Sequence, residues 1–276
     1  MHSRTPLLKK DLREIKNLPD KVSRLRNFYS AETAFIFTCG PSLEWADPVW
    51  VNSRLSGRLV FCVKQAYELF GSAADFHCFN AFNHQKYNYQ KNKNCILART
   101  RFEDNPPVWG PRPDLDFRLT PVDAAARTKS SWLAVWGDFE NYLLEKTVDR
   151  PWGPGIMYET VIYLAVHLGV RRCVVAGWDL VSPGAVQYRH FYDPQPQRRS
   201  FWDRAWSRAA PWCRHYLGLR YNATGAVDVH EFEVLAQSSR GFYEWLKAKG
   251  VELAVISDQS YLHESIPKIS WQKALA

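Results

Sequence analysis

What most limits the fold of this chain is a repeated punctuation. Short apolar runs of strand length stop abruptly at glycine or polar turn residues and alternate with helix-like stretches. The first run, Ala34-Phe35-Ile36-Phe37, gives way to Cys39-Gly40-Pro41-Ser42-Leu43. Strands are predicted over 34–38, 58–63, 75–79 and 94–98, in the run RRCVVAGWDLV, and in VELAVIS near the end. The clearest helical unit is GPGIMYETVIYLAVHLGV. It is a glycine-rich turn into a helix whose Ile156, Val161, Leu164, Ala165 and Leu168 share a face, closed by Gly169. A short helix over 65–70 follows the second strand, and a long one over about 229–249 ends at Gly250. Strands alternating with helices predict an α/β fold with a parallel sheet and helices on both faces. Ligands of such sheets bind beyond the carboxyl ends of the strands. Gly40-Pro41-Ser42, Lys64-Gln65, Asn80 and Gly177-Trp178-Asp179 each lie just past a predicted strand end and so fall on one rim. An ordinary turn, with Ser42 capping the next helix, is the alternative reading of the first of these.

Four regions follow from the same reading. Residues 1–30 form a basic helical arm in which Leu7, Leu8, Leu12, Ile15 and Leu18 make a modest apolar stripe. Residues 31–181 form the α/β core that carries the sheet and the ligand rim. Within it, the proline-rich stretch 103–131 reads as an irregular crossing with one edge strand at Phe117 to Leu119, and a helix is expected near Gly137 to Leu144. Residues 182–227 are polar, basic and tryptophan-rich with little periodicity, as expected of an inserted lid. Residues 228–276 supply the last helix, the last strand and a tail.

The net charge is +8, concentrated in the first 27 residues and in Arg198, Arg199, Arg204, Arg208, Arg214 and Arg220. A basic surface favours an anionic partner, whereas a solvated charged face is the plain alternative. No apolar stretch reaches the roughly 18 residues of a membrane span, and the first residues lack the apolar core of a signal peptide. A cytoplasmic protein is expected. The six cysteines show no C-x-x-C spacing and read as free thiols in a reducing compartment. No Walker loop and no histidine pair at zinc spacing occur; Asp114-Leu115-Asp116 is a weak metal candidate.

The ordered set CGPSL, VFCVKQAY, ADFHCFN and GPGIMYETVIYLAVHLGVRRCVVAGWDL resembles the bacterial sialyltransferases of glycosyltransferase family 42. It covers roughly residues 34–80 and 150–181, with a weaker match over 228–257. It is also similar to a pterin pyrophosphokinase group. The resemblance implies a single Rossmann-like domain with a mobile lid and an inverting, metal-independent transfer from a CMP-activated ulosonic acid, Kdo or sialic acid. It implies no cofactor besides that CMP-sugar donor. Gly40, Pro41, Ser42, Lys64, Gln65, Asn80, Gly153, Gly155 and Asp179 would bind the donor. Departures are visible: Thr38-Cys39 replaces Gly-Asn, Lys64 replaces an asparagine, Pro154 replaces a serine, and Leu180-Val181 stand where the family has a tyrosine. The basic segments fit an anionic glycolipid or lipopolysaccharide acceptor, reached by peripheral contact with the cytoplasmic face of the inner membrane. No nucleic-acid partner is expected, since no base-reading module is present.

Transfer from such a donor needs a base for the acceptor hydroxyl and a partner for the departing phosphate. His230, which the resemblance places near the family's base, and His190, flanked by Tyr188 and Tyr192, are the candidate bases. Tyr188, Tyr192 and nearby arginines are candidate partners for the phosphate. A pterin or nucleotide diphosphokinase-like enzyme on the same fold, or a non-catalytic binder of anionic ligands, are the alternatives.

Overall fold

The computed structural model describes residues 2–80, 87–102, 112–120, 139–151, 155–179, 191, 229–257 and 260–276, with side chains of the helix that begins at Val229 described from Leu235 onward. Eight strands form one sheet. They are β1 (Thr33–Phe37), β2 (Leu59–Val63), β3 (Phe76–Asn80), β4 (Ile96–Arg101), β5 (Leu115–Thr120), β6 (Arg150–Pro151), β7 (Arg172–Ala176) and β8 (Glu252–Ile256). Their spatial order is β6-β5-β4-β3-β2-β1-β7-β8, and every neighbouring pair is parallel. This is the expected Rossmann-like α/β architecture. The inner strands read as continuous apolar runs because both faces are covered; all five residues of β2 are buried.

The chain steps outward from β1 to β6, then returns to lay β7 on the other side of β1. Right-handed crossovers must change face when the direction of travel reverses, and they do. Helices α3 (Pro48–Arg54) and α4 (Ala66–Phe70) belong to the outward run. They pack on one face with Phe35, Phe37, Val60 and Cys62. Helices α5 (Ile162–His167) and α6 (Val229–Ala248) belong to the return and pack on the other face with Ile36, Phe61, Phe76 and Val175. The C-terminal α7 (Trp271–Leu275) joins the α3 face, where Trp271 stacks near Phe37.

The basic N-terminal segment consists of two helices, α1 (Thr5–Glu14) and α2 (Leu18–Leu25), separated where Asn17 accepts the Asp20 N–H as an N-cap. Leu8, Leu12, Val22 and Leu25 are buried in the same core as α5 and α6. Two carboxylates at the amino rim clasp this segment. Asp75 accepts the Val60 N–H at 2.8 Å with one oxygen, and the His2 N–H at 2.7 Å and the Thr5 hydroxyl with the other. Asp114 repeats the arrangement one crossover along. It accepts the Leu97 N–H at 2.9 Å and pairs with Lys9 at 3.1 Å and Arg13 at 3.4 Å. Asp116 is bonded to Arg99 and Arg101. The Asp114–Asp116 pair, weighed as a metal site from sequence, is therefore engaged in ion pairs.

Some local expectations change. The strand expected at Phe117 to Leu119 is longer and is not the edge, because β6 pairs outside it. That strand was invisible in the sequence because it is two residues long and contains Pro151, which an edge strand tolerates. In place of a helix near Gly137 to Leu144, the described residues there form a 3₁₀ turn at Phe139–Tyr142. The helix after Gly155 begins with a π turn over Met157–Val161.

Candidate functional site

The point where strand order reverses lies between β1 and β7, and the loops leaving these two strands meet there. In open parallel sheets this is where a crevice opens for ligands. The β1 loop is held to β7 by main-chain bonds. Thr38 N–H donates to Ala176 O at 2.9 Å and Gly40 N–H to Gly177 O at 2.8 Å. A Cβ on Gly40 would stand 2.2 Å from Gly177 O and 2.6 Å from Asp179 Oδ2; one on Gly177 would stand 2.9 Å from Thr38 O. The two glycines are thus needed for the close approach of loop to loop. The same bond commits the Gly40 N–H, which the sequence had offered to a ligand. Pro41 has no N–H, and the Ser42 N–H is taken by Asp179 Oδ2 at 2.7 Å.

Ser42 does not cap a helix. Pro41–Trp45 is a 3₁₀ turn that starts from Gly40 without a side-chain cap, and the next helix is capped by Asp47 through the Val49 and Trp50 N–H groups. The Ser42 Oγ is buried and has no hydrogen-bond partner among the described residues. Asp179 is buried too, and its second oxygen, Oδ1, is likewise without a partner. So is Asn80 Oδ1, at the end of β3 along the same rim. An unmet buried acceptor costs about 1–3 kcal/mol. Ser42 Oγ and Asp179 Oδ1 lie on the two loops that meet at the switch point, where a donor-bearing ligand could satisfy them.

Beside this point, β2 is followed directly by Lys64, which has a left-handed backbone with φ of 49°. Its N–H donates to Cys78 O at 2.9 Å and its carbonyl accepts the Tyr67 N–H at 3.2 Å. The carbonyl also accepts from His77 Nε2 at 2.9 Å, while His77 Nδ1 lies 2.8 Å from the Tyr89 hydroxyl. A carbonyl only accepts, so Nε2 carries the proton and Nδ1 accepts from Tyr89. His77 is fully buried. Tyr67 stacks on its ring and Tyr87 meets it edge-on. Burial lowers its pKa from 6.5 to about 3, so the imidazole is neutral. Gln65 is buried and faces Cys39, whose thiol lies 3.3 Å from Val63 O and 3.6 Å from Gln65 Oε1. Burial pushes the Cys39 pKa up to about 11 against the opposing pull of the Lys64 ammonium, so this thiol is inert.

The other predicted residues divide into three groups. Gly155, with φ of 117°, opens the helix into β7, and its carbonyl accepts the Tyr158 and Glu159 N–H groups. The Tyr158 ring lies 5.7 Å from that of Trp178, which ties this helix start to the β7 loop. His230 lies in the first turn of α6. That helix runs antiparallel to the strands and is fixed near the rim by Ser239, whose hydroxyl accepts the His263 N–H. His230 precedes Ser239 by about 13 Å of helix rise, and its side chain lies outside those described. Gly153, Tyr188, His190 and Tyr192 lie outside the described residues. Phe191, between the last two, is described, and it donates its N–H to Cys39 O at 3.1 Å.

Sequence reasoning missed His77. The signal was a lone imidazole inside the apolar strand DFHCF, which can be buried only if both ring nitrogens find partners. No family model matches the chain, and no curated protein matches it either.

Proposed function

We propose that the chain is a glycosyltransferase of the inverting kind, taking a CMP-activated ulosonic acid and passing the sugar to a hydroxyl of an anionic glycolipid or lipopolysaccharide. The observation that carries this reading is the pair of unmet buried acceptors, Asp179 Oδ1 and Ser42 Oγ, at the switch point of an all-parallel sheet. Ribose hydroxyls are the donors such acceptors suit. A phosphate does not suit them: beside the Asp179 carboxylate it would meet like charge, and the Gly40 and Ser42 amides are already used. The ribose therefore sits at Asp179 and the phosphate lies away from it, toward Lys64.

The chemistry then follows. An acceptor oxygen attacks the anomeric carbon as the bond from that carbon to the phosphate oxygen breaks. The acceptor proton passes to a base, His230 or His190, and CMP departs with the electron pair. Lys64 on the rim and the tyrosines of the segment around Phe191 stabilise the phosphate.

Thermal shift with CMP, cytidine, UDP, ATP and a pterin phosphate, each with and without Mg²⁺, tests the reading. CMP at a few hundred times its dissociation constant should stabilise the protein by about 3 kcal/mol without metal. Asp179→Asn keeps an acceptor for the Ser42 N–H while losing the charge, and should weaken CMP about tenfold or more without lowering the melting temperature of the free protein. Stabilisation only by ATP with Mg²⁺ and a pterin would replace the transferase with a diphosphokinase. CMP binding untouched by the Asp179 variant would remove the ribose from this place.

A further inference from the structure

Lys64 is a residue whose backbone and side chain disagree about what belongs there. Its left-handed φ of 49° is one that glycine adopts freely and other residues adopt only under constraint. The constraint is visible: the Cys78 carbonyl holds the Lys64 N–H, and the Lys64 carbonyl is held by the Tyr67 N–H and by the buried His77 imidazole. His77 is itself fixed from behind by the Tyr89 hydroxyl and from above by the Tyr67 ring. The side chain this effort presents is that of a half-buried lysine with no carboxylate in salt-bridge range among the described residues. It stands next to the switch point, close enough to bias the thiol of Cys39 in the β1 loop. Glu68, on the following turn, is the acidic group that also faces that thiol.

We propose that His77 is a positioning residue: by gripping the Lys64 carbonyl from beneath, it holds Lys64 in its left-handed turn so that the ammonium anchors the anionic group, phosphate or carboxylate, of the ligand at the switch point. The ligand's identity as a nucleotide rests on the reading above, but the anchor does not. A glycine here would relieve the strain and lose the charge. A lysine elsewhere on the rim would keep the charge without the fixed direction.

Calorimetric titration of the intact chain with CMP, cytidine and inorganic pyrophosphate separates these elements. Wild type should bind CMP about tenfold or more tightly than cytidine. Lys64→Gln should abolish that difference, leaving cytidine unchanged. Lys64→Gly should do the same while raising the melting temperature by about 2 °C, since the strained turn is relieved. His77→Phe, which cannot donate to the Lys64 carbonyl, should cut the CMP-to-cytidine ratio severalfold, and His77→Gln, which can donate to Lys64 and accept from Tyr89, should restore it. A merely structural histidine would weaken both ligands alike and leave the ratio intact, which overturns the proposal, as does a wild-type protein that binds cytidine as well as CMP. If His77→Phe fails to fold, Tyr89→Phe, which removes the hydroxyl that fixes His77 Nδ1, takes its place and should lower the ratio in the same direction; an unchanged ratio there refutes the positioning role, and an unchanged ratio in the Lys64 pair refutes the anchor. Pyrophosphate binding that Lys64→Gln abolishes, with neither nucleoside bound, would keep the anchor and sink the nucleotide. No binding of any of the three by wild type refutes both.

Discussion

At the scale of single residues, the crevice wall depends on Gly40 more than on any charged group. The first atom an alanine would add lies 2.2 Å from the Gly177 carbonyl, a main-chain atom that no rotamer change can move aside. Gly40→Ala should therefore destabilise the protein by about 3 kcal/mol, at the upper end of what overpacking costs, read as a lower urea midpoint with an unchanged slope. It should also weaken any ligand of the rim, because Gly177 and Asp179 move together. Gly241 in α6, whose surroundings are open and whose backbone is not left-handed, is the control for the effect of an added methyl group. This geometry shows what the sequence conveyed and what it withheld. Glycine after an apolar run announced a close approach. Its partner turned out to be the loop 137 residues further on, and a contact so distant leaves no local trace.

At the scale of elements, the N-terminal helices are integral to the core. They carry the same kind of basic, sparsely apolar sequence as a detachable arm, but Leu8, Leu12, Val22 and Leu25 close the core on the α5 and α6 face. Asp114 secures them, and removing it leaves the buried Lys9 ammonium without its carboxylate, only the Cys95 carbonyl still accepting from it. Asp114→Ala should cost about 3–5 kcal/mol, while Asp114→Asn, which still accepts the Leu97 N–H, should cost less; chemical denaturation of the two variants checks the order. Element by element, the strands were legible where apolar runs of five residues ended at turns, as in β1, β2, β3 and β8. What escaped was set by tertiary context. The two-residue β6 and the π turn at Met157–Val161 arise from packing against neighbours, not from any periodicity of their own. The rim residues were legible from the rule that loops follow strand ends. Which polar atoms on that rim are already satisfied was not, because hydrogen bonds between loops are fixed only when the sheet is assembled.

At the scale of the whole molecule, stability carries a pH signature that follows from its buried imidazoles. His77 is held neutral by burial, with a pKa near 3 in the fold against 6.5 when unfolded. His167, which donates from Nε2 to the Val22 carbonyl at 2.7 Å, is shifted downward in the same way. Their stabilising contribution is complete above pH 6.5. It declines as the pH falls, because only the unfolded chain takes up these protons; for His77 the loss is about 1.4 kcal/mol per pH unit until the folded pKa is reached, and His167 adds to it in the same direction. Asp75 works in the opposite sense: burial raises its pKa, so the folded state gains relative stability as the pH falls through that value. Urea midpoints should therefore drop between pH 7 and 5, and His77→Gln should drop less steeply; a flat wild-type profile would contradict the buried, neutral histidine. The two rims of the sheet also differ in readiness. Because the β1 and β7 loops are already latched to each other before anything binds, the described part of the crevice mouth has little left to rearrange. Crystals of the free protein should then tolerate soaking without cracking at these two loops, and the share of selectivity that they contribute should arise from shape and charge at encounter.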